Sequence, residues 1–173
     1  MQFLNSLNVE VAQYRNKKRL GNIEQELKLI KEHFNGKLII NDYLEYINLA
    51  DGLHIGQEDL VTISTDKKEA IKTLRNKIGK KLLGLSTHNL SEIQEANSLD
   101  LDYIGLGAYR VTATKDVDSI GGKELLDFAK ESKHKVALIG GVTLEDDFSN
   151  YSWIEYKVIG SNLIKCFKNT QNK

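Results

Sequence analysis

Cysteine occurs once in this 173-residue sequence, proline not at all, and net charge is absent, with 24 Lys and Arg balanced by 24 Asp and Glu. Cys166 alone can form neither an intramolecular disulfide nor a Cys-rich zinc site, a composition suited to a reducing, cytoplasmic interior. Charge neutrality removes the general electrostatic reason to hold a nucleic-acid backbone, so no polynucleotide partner is expected. No apolar run approaches the about 18 residues of a membrane span, and MQFLNSLNVE has neither the basic segment nor the apolar core of a signal peptide. No membrane partner is expected either. The missing proline, against roughly nine at about 5% usage, follows from genome composition as readily as from structure and excludes nothing. What is present is 40% hydrophobic residues in a chain long enough to bury roughly 70% of its unfolded surface, which fits one domain over residues 1–173.

The hydrophobic pattern alternates along the chain. Short apolar runs at Val9–Tyr14, Lys37–Asn41, Gly52–Ile55, Leu82–Leu85, Tyr103–Leu106, Val136–Ile139 and Tyr156–Ile159 read as seven strands. Between them, helical spacing predicts helices over Ile23–Phe34, residues 67–77, Asn89–Asn97, Gly121–Ser132 and Ser161–Phe167, with a short helix at Tyr43–Leu49. Strands of four to six residues separated by helices require crossovers and hence a parallel α/β sheet. Open doubly wound and closed barrel arrangements both satisfy this alternation. A (β/α)8 barrel needs one more strand than the seven counted. Residues 1–8 read as the tail of a first helix.

Polar residues with chemical potential follow the apolar runs, where the active sites of parallel sheets and barrels gather. In QYRNK, Gln13, Arg15 and Lys17 alternate and face one way if the strand period persists. Two cations and an amide suit a pyrophosphate, Arg as a planar fork and Lys as a mobile point charge; a solvated basic strand end is the competing explanation. Asn41 and Asp42 end the next strand, and Glu58 and Asp59 lie beyond the one after. Carboxylates from neighbouring strand ends can share a magnesium ion with substrate phosphates, or they can cap helices and turns. His54 and His88 match no short metal motif and read as packing or hydrogen-bonding residues. In YRVTATK, Thr112, Thr114 and Lys115 can surround phosphate oxygens, and Gly140 and Gly141 in LIGGV can offer backbone amides to a second phosphate or form a tight turn.

Taken together and in order, VEVAQYRNK, LIINDY, GLHIGQEDL, LGLSTH, YIGLGAYRVTATK and ALIGGVT resemble the thiamine phosphate synthase and TenI family over roughly residues 8–145. The resemblance implies a TIM (β/α)8-barrel type of fold, here without the segment matching the family's first strand and most of its first helix. It also implies an enzyme that joins hydroxymethylpyrimidine diphosphate to a hydroxyethylthiazole phosphate and releases pyrophosphate. Carried over residue by residue, Gln13, Arg15, Lys17 and Lys115 match diphosphate-binding positions, and Asn41 accompanies Asp42, the first Mg2+ ligand. Asp59 matches the second ligand, Ser86 the hydroxyl near the pyrimidine, and Thr112, Thr114 and Gly141 positions around the thiazole phosphate or its diphosphate neighbour. Arg15, Lys17, Ser86 and Lys115 then carry catalysis through charge and orientation, with no protein nucleophile.

The sequence also departs from the family pattern. Ala108 and Arg110 replace the usual proline and aromatic before TxTK, and Arg110 brings a cation that can bind phosphate. Lys157 stands where a small buried residue is usual, and Gly160 or Ser161 replaces the familiar serine arrangement. A seven-strand sheet leaves an edge to be covered by residues 1–8, by a partner or by rearrangement, which keeps a homo-oligomer open. Two other readings share these residues. One is a TenI-like thiazole tautomerase, through Ser86 and His88; the other is a catalytically weak protein that binds thiamine precursors or assembles with a partner.

Overall fold

The computed structural model describes residues 1–110 and 121–171. They fall into two compact units, the first ending at Gly84 and the second starting at Leu85.

The first unit runs α1 (Gln2–Ser6), β1 (Val11–Tyr14), α2 (Ile23–His33), β2 (Lys37–Asn41), a 3-10 turn (Leu44–Leu49), β3 (Gly52–Ile55), α3 (Gln57–Ile63), α4 (Lys67–Ile78) and the start of β4 (Leu82–Thr87). Its strands are parallel neighbours in chain order, with Tyr14 opposite Ile40 and Asn41 opposite His54. Leu38, Ile39 and Ile40 are all buried, so both faces of β2 are covered, which explains a continuous apolar run in place of an alternating one. That register brings the polar residues after β1, β2 and β3 to the same, C-terminal end of the sheet.

The helices are fixed by their ends as well as by their apolar stripes. Asn22 caps α2 by accepting the Gln25 N–H, with Glu24 and Glu26 in the first turn and Lys31 and His33 in the last, the order the helix dipole favours. Asp66 caps α4 through the N–H groups of Lys68 and Glu69, while Ala70, Ile71, Leu74 and Ile78 form its buried stripe. In α2 the buried anchor is Leu27, with no exposed surface. Leu27→Ala is therefore expected to destabilise the chain by about 3 kcal/mol, read as a lowered urea midpoint. A loss below about 1 kcal/mol would show that α2 is not docked through this side chain.

The second unit contains the rest of β4, then α5 (Leu90–Ala96), β5 (Tyr103–Leu106), α6 (Gly122–Phe128) running into a 3-10 turn (Ala129–Glu131), β6 (Lys135–Leu138), β7 (Ile154–Lys157) and α7 (Ser161–Gln171). β5 and β6 pair in parallel from Tyr103–Lys135 to Leu106–Leu138, and β6 pairs with β7 across an irregularity between Val136 and Ala137. Tyr109, Leu126, Leu138 and Val142 form a core cluster against which Phe148, Tyr151, Ile154 and Ile159 pack. Gly140 has φ +93°, and a Cβ there would lie 2.7 Å from the Ala108 Cα, so the first glycine of LIGGV is required by close packing.

All seven expected strands are present among the described residues, and β2, β3 and β5 have the expected limits. Three differences have physical causes. β1 begins at Val11, not Val9, whose N–H donates to the Leu4 carbonyl, and it ends at Tyr14 as expected, so Arg15 and Lys17 lie beyond the strand in a turn. β7 begins at Ile154, not Tyr156, because it is half-buried: Ile154 and Tyr156 turn inward while Glu155 and Lys157 are exposed, an alternation hidden by the apolar run at its end. α3 has no counterpart in the expectations, since a single buried Leu60 in seven residues gives almost no helical period. No helix among the described residues is long and apolar enough to cross a membrane.

Candidate active site

The ends of β1, β2 and β3 in the first unit converge on a cleft of about 160 Å³. It is lined by Arg15, Asn16, Lys17 and Arg19 after β1, Asn41, Asp42 and Tyr43 at the end of β2, and Asp59 from the first turn of α3. Three cations thus face two carboxylates.

Asp42 has an unusual local structure for a non-glycine residue. Its φ is +68°, a left-handed conformation that Asp and Asn tolerate better than most residues, and its N–H donates to the His54 carbonyl at 3.1 Å. The side-chain amide of Asn41 donates to Asp42 Oδ2, and the Gly56 backbone N–H also bonds the carboxylate. Oδ1 is buried and has no hydrogen-bond partner among the described residues. Burial first, and the nearby Asp59 charge second, push the Asp42 carboxyl above its ordinary range, while Lys17 and Arg15 pull it down. Asp42 thus offers a half-buried carboxylate, one oxygen of which has no partner among the described residues, beside a second carboxylate.

The donor set fits magnesium. Among the described residues no group of three or more His, Cys, Asp or Glu could hold a metal. Two carboxylates lining one cleft are a donor set compatible with an ion that keeps several waters and takes phosphate oxygens as further ligands. Asp42 and Asp59 would hold it. Gly56 makes room for this pairing, because a Cβ there would stand 2.9 Å from Asp59 Oδ2. Gly56→Ala is therefore expected to turn the Asp59 carboxylate aside at little cost in stability, raising the magnesium concentration needed for half-maximal activity several-fold. An unchanged magnesium dependence would remove Asp59 from the site.

The other sequence-selected residues are distributed as follows. Gln13 is exposed on β1 and does not line the cleft. Asn41 is buried and does line it. Ser86, on β4, and Gly141, at φ +69°, belong to the second unit. Thr112, Thr114 and Lys115 lie outside the described residues. His54 is buried in β3, and His88 is bonded through Nδ1 to Glu92 at 2.9 Å, both consistent with hydrogen-bonding and packing roles. Asn16, Arg19 and Tyr43 were not legible as cleft residues; the only available signal was their adjacency to Arg15 and Asp42.

Arg110 in the second unit is already engaged. Its guanidinium forks onto Asp146 at 2.6 and 2.8 Å, donates to the Gly141 carbonyl at 3.2 Å and lies 4.5 Å over the Tyr109 ring. Lys157, exposed on β7, donates to the carbonyls of Leu144 and Asp146 in the same segment. The Arg110 bonds foremost, with those from Thr143, hold the Asp146 carboxyl down at about 2. A folded-state value below the ordinary about 3.9 contributes stability that is complete above about pH 4 and is lost as pH falls towards about 2. Asp146→Asn is therefore expected to melt below the native chain at about pH 6, with the gap closing towards about pH 2. A gap independent of pH would contradict the pairing.

A parallel α/β chain that gathers three cations and two carboxylates at its C-terminal strand ends has the active-site placement of TIM-barrel-type proteins. Residues 2–147 match the thiamine monophosphate synthase family, and the chain belongs to that family. Among its relatives, the thiamine-phosphate synthase of Methanobrevibacter smithii is 36% identical over 182 residues, covering 92% of this chain and 83% of that protein. The thiamine-phosphate synthase of Lactococcus lactis is 33% identical over 146 residues, covering 82% of this chain and 62% of that protein. The solved structure of a thiamine phosphate pyrophosphorylase from Pyrococcus furiosus matches with a TM-score of 0.58 at 22% identity, over 77% of this chain and 63% of that one. It shares the α/β, TIM-barrel-type fold. The chain thus spans most of the Methanobrevibacter relative but less than two thirds of the other two.

Proposed function

We propose that this protein is a thiamine phosphate synthase, a transferase joining hydroxymethylpyrimidine diphosphate to hydroxyethylthiazole phosphate. The bond between the pyrimidine methylene carbon and the diphosphate oxygen breaks, the electron pair leaving with pyrophosphate. The thiazole nitrogen then donates its lone pair to that carbon, forming thiamine phosphate. The observation that carries this reading is the buried Asp42 oxygen, without a partner among the described residues, beside Asp59, Arg15 and Lys17 at the strand ends. Family membership supports the substrate pair.

Arg15 and Lys17 would bind the diphosphate and neutralise the charge that develops on it as the bond breaks, which is the largest contribution a protein can make to such a step. Magnesium bound at Asp42 and Asp59 would supply Lewis-acid stabilisation of the same oxygens. Asn41 would orient Asp42 through its amide bond. By their place in the family motifs, Ser86 and Lys115 are assigned contacts with the pyrimidine diphosphate and Thr112, Thr114 and Gly141 contacts towards the phosphates, while Gln13, outside the cleft lining, has its motif assignment alone. The single Cys and the phosphorylated substrates support a cytoplasmic location.

Omitting each component in turn tests the reaction. Pyrophosphate release should require both precursors and magnesium together. Release from the pyrimidine diphosphate alone would indicate hydrolysis, and binding of both precursors without release would support the precursor-binding reading.

A further inference from the structure

Arg19 belongs to none of the motifs, yet it shares the cleft with Arg15, Lys17, Asp42 and Asp59. Its backbone has φ +50°, a conformation rarely taken by a long side chain and usually held by its surroundings. Those surroundings are visible. The Arg19 N–H donates to the Asn16 carbonyl at 3.0 Å, and the same carbonyl accepts the Tyr43 hydroxyl. The Asn16 amide in turn bonds the Leu20 carbonyl at 2.7 Å and the Tyr14 hydroxyl at 3.2 Å. The turn after β1 is thus tied at both ends.

The side chain is exposed but stacked on an aromatic ring. The Arg19 guanidinium lies 5.0 Å over the ring of Tyr43, which is itself 3% exposed and supplies a fixed platform. Stacking occupies the face of a guanidinium and leaves its N–H edge able to fork onto oxyanions. Its ion partner Glu45 is 3.6 Å away, and both side chains are at least half exposed, a geometry worth little in water. A stronger anion can displace it.

Charge then selects the ligand. Among the described lining residues, three cations and two carboxylates leave one positive charge, and a bound divalent ion would raise this to +3, more than a single phosphate balances. We propose that Arg19 is a third cationic arm of the cleft, gripping the diphosphate and setting its preference for diphosphate over monophosphate ligands. The inference deepens the synthase reading and rests on it for the identity of the substrate, but not for the binding event.

Calorimetric titration of the full chain with inorganic pyrophosphate and with inorganic phosphate, both with magnesium, tests it. Arg19→Gly removes the side chain at a φ that glycine adopts freely, so it adds no turn strain. It should weaken pyrophosphate binding about tenfold and phosphate binding much less. Arg19→Lys should fall between, since an ammonium neither stacks nor forks in this way. Lys18→Ala, which removes a neighbouring charge outside the cleft lining, should leave both affinities within about twofold. Equal effects of Arg19→Gly and Lys18→Ala would overturn the inference, as would equal losses for the two anions or a native chain that binds no pyrophosphate. If Arg19-dependent binding is found but both precursors give no thiamine phosphate, the inference stands and the synthase reading falls.

Discussion

Asp42→Asn is expected to lower the magnesium-dependent rate by at least about a hundredfold, and more if both carboxylates act as one unit. The same change should leave the metal-free chain no less stable. Both results follow from one cause. Asp42 has one buried oxygen without a partner among the described residues, and burial and the Asp59 charge outweigh the pull of Lys17 and Arg15, so a bound divalent ion would stabilise its ionised form. Asn has the same shape, tolerates the left-handed backbone at φ +68° and carries no charge. Asp42→Ala would add backbone strain and obscure the comparison. The measurements are rate against magnesium concentration and the urea midpoint without metal. A variant that kept its magnesium-dependent rate, or that unfolded markedly earlier, would show that Asp42 is a structural residue.

Arg15→Ala is expected to reduce kcat by about a hundred- to a thousandfold, the range seen when one preorganised donor to a developing oxyanion is removed. Arg15→Lys should recover only part of this, because a point charge does not reproduce a bidentate fork on a phosphate. Lys17→Ala should lose less. Arg15 and Lys17 are exposed at the strand end, so neither change should move the melting temperature by much. Charge that develops as the bond to the leaving group breaks should make the loss fall on kcat more than on KM. A rise in KM with kcat unchanged would mean that Arg15 binds the substrate without assisting its reaction.

The parallel α/β plan was legible in the sequence because buried parallel strands are continuous apolar runs. Lys37–Asn41 and Gly52–Ile55 showed this plainly, and their polar ends led to Asn41, Asp42 and Asp59. Legibility failed where a residue's role depends on the path of a turn. Gln13, Arg15 and Lys17 form one alternating motif, yet β1 ends between Gln13 and Arg15, so the two cations line the cleft and the amide does not. Arg19 and Tyr43 meet across the same cleft through a turn whose φ +50° no composition rule predicts. The charge of Arg110 opens the option of a phosphate contact, but Asp146, 36 residues away, takes its fork in the fold. Pairings of that kind are set by tertiary packing and leave no local periodicity to read.

Detection of thiamine phosphate by mass, from hydroxymethylpyrimidine diphosphate and hydroxyethylthiazole phosphate with the 173-residue chain, tests the central claim most directly. Product should appear with magnesium, disappear on chelation and return when magnesium is restored, and the Asp42→Asn chain should make at most about a hundredth as much. Product formed equally well with and without magnesium, or no product from a folded native chain, would contradict it.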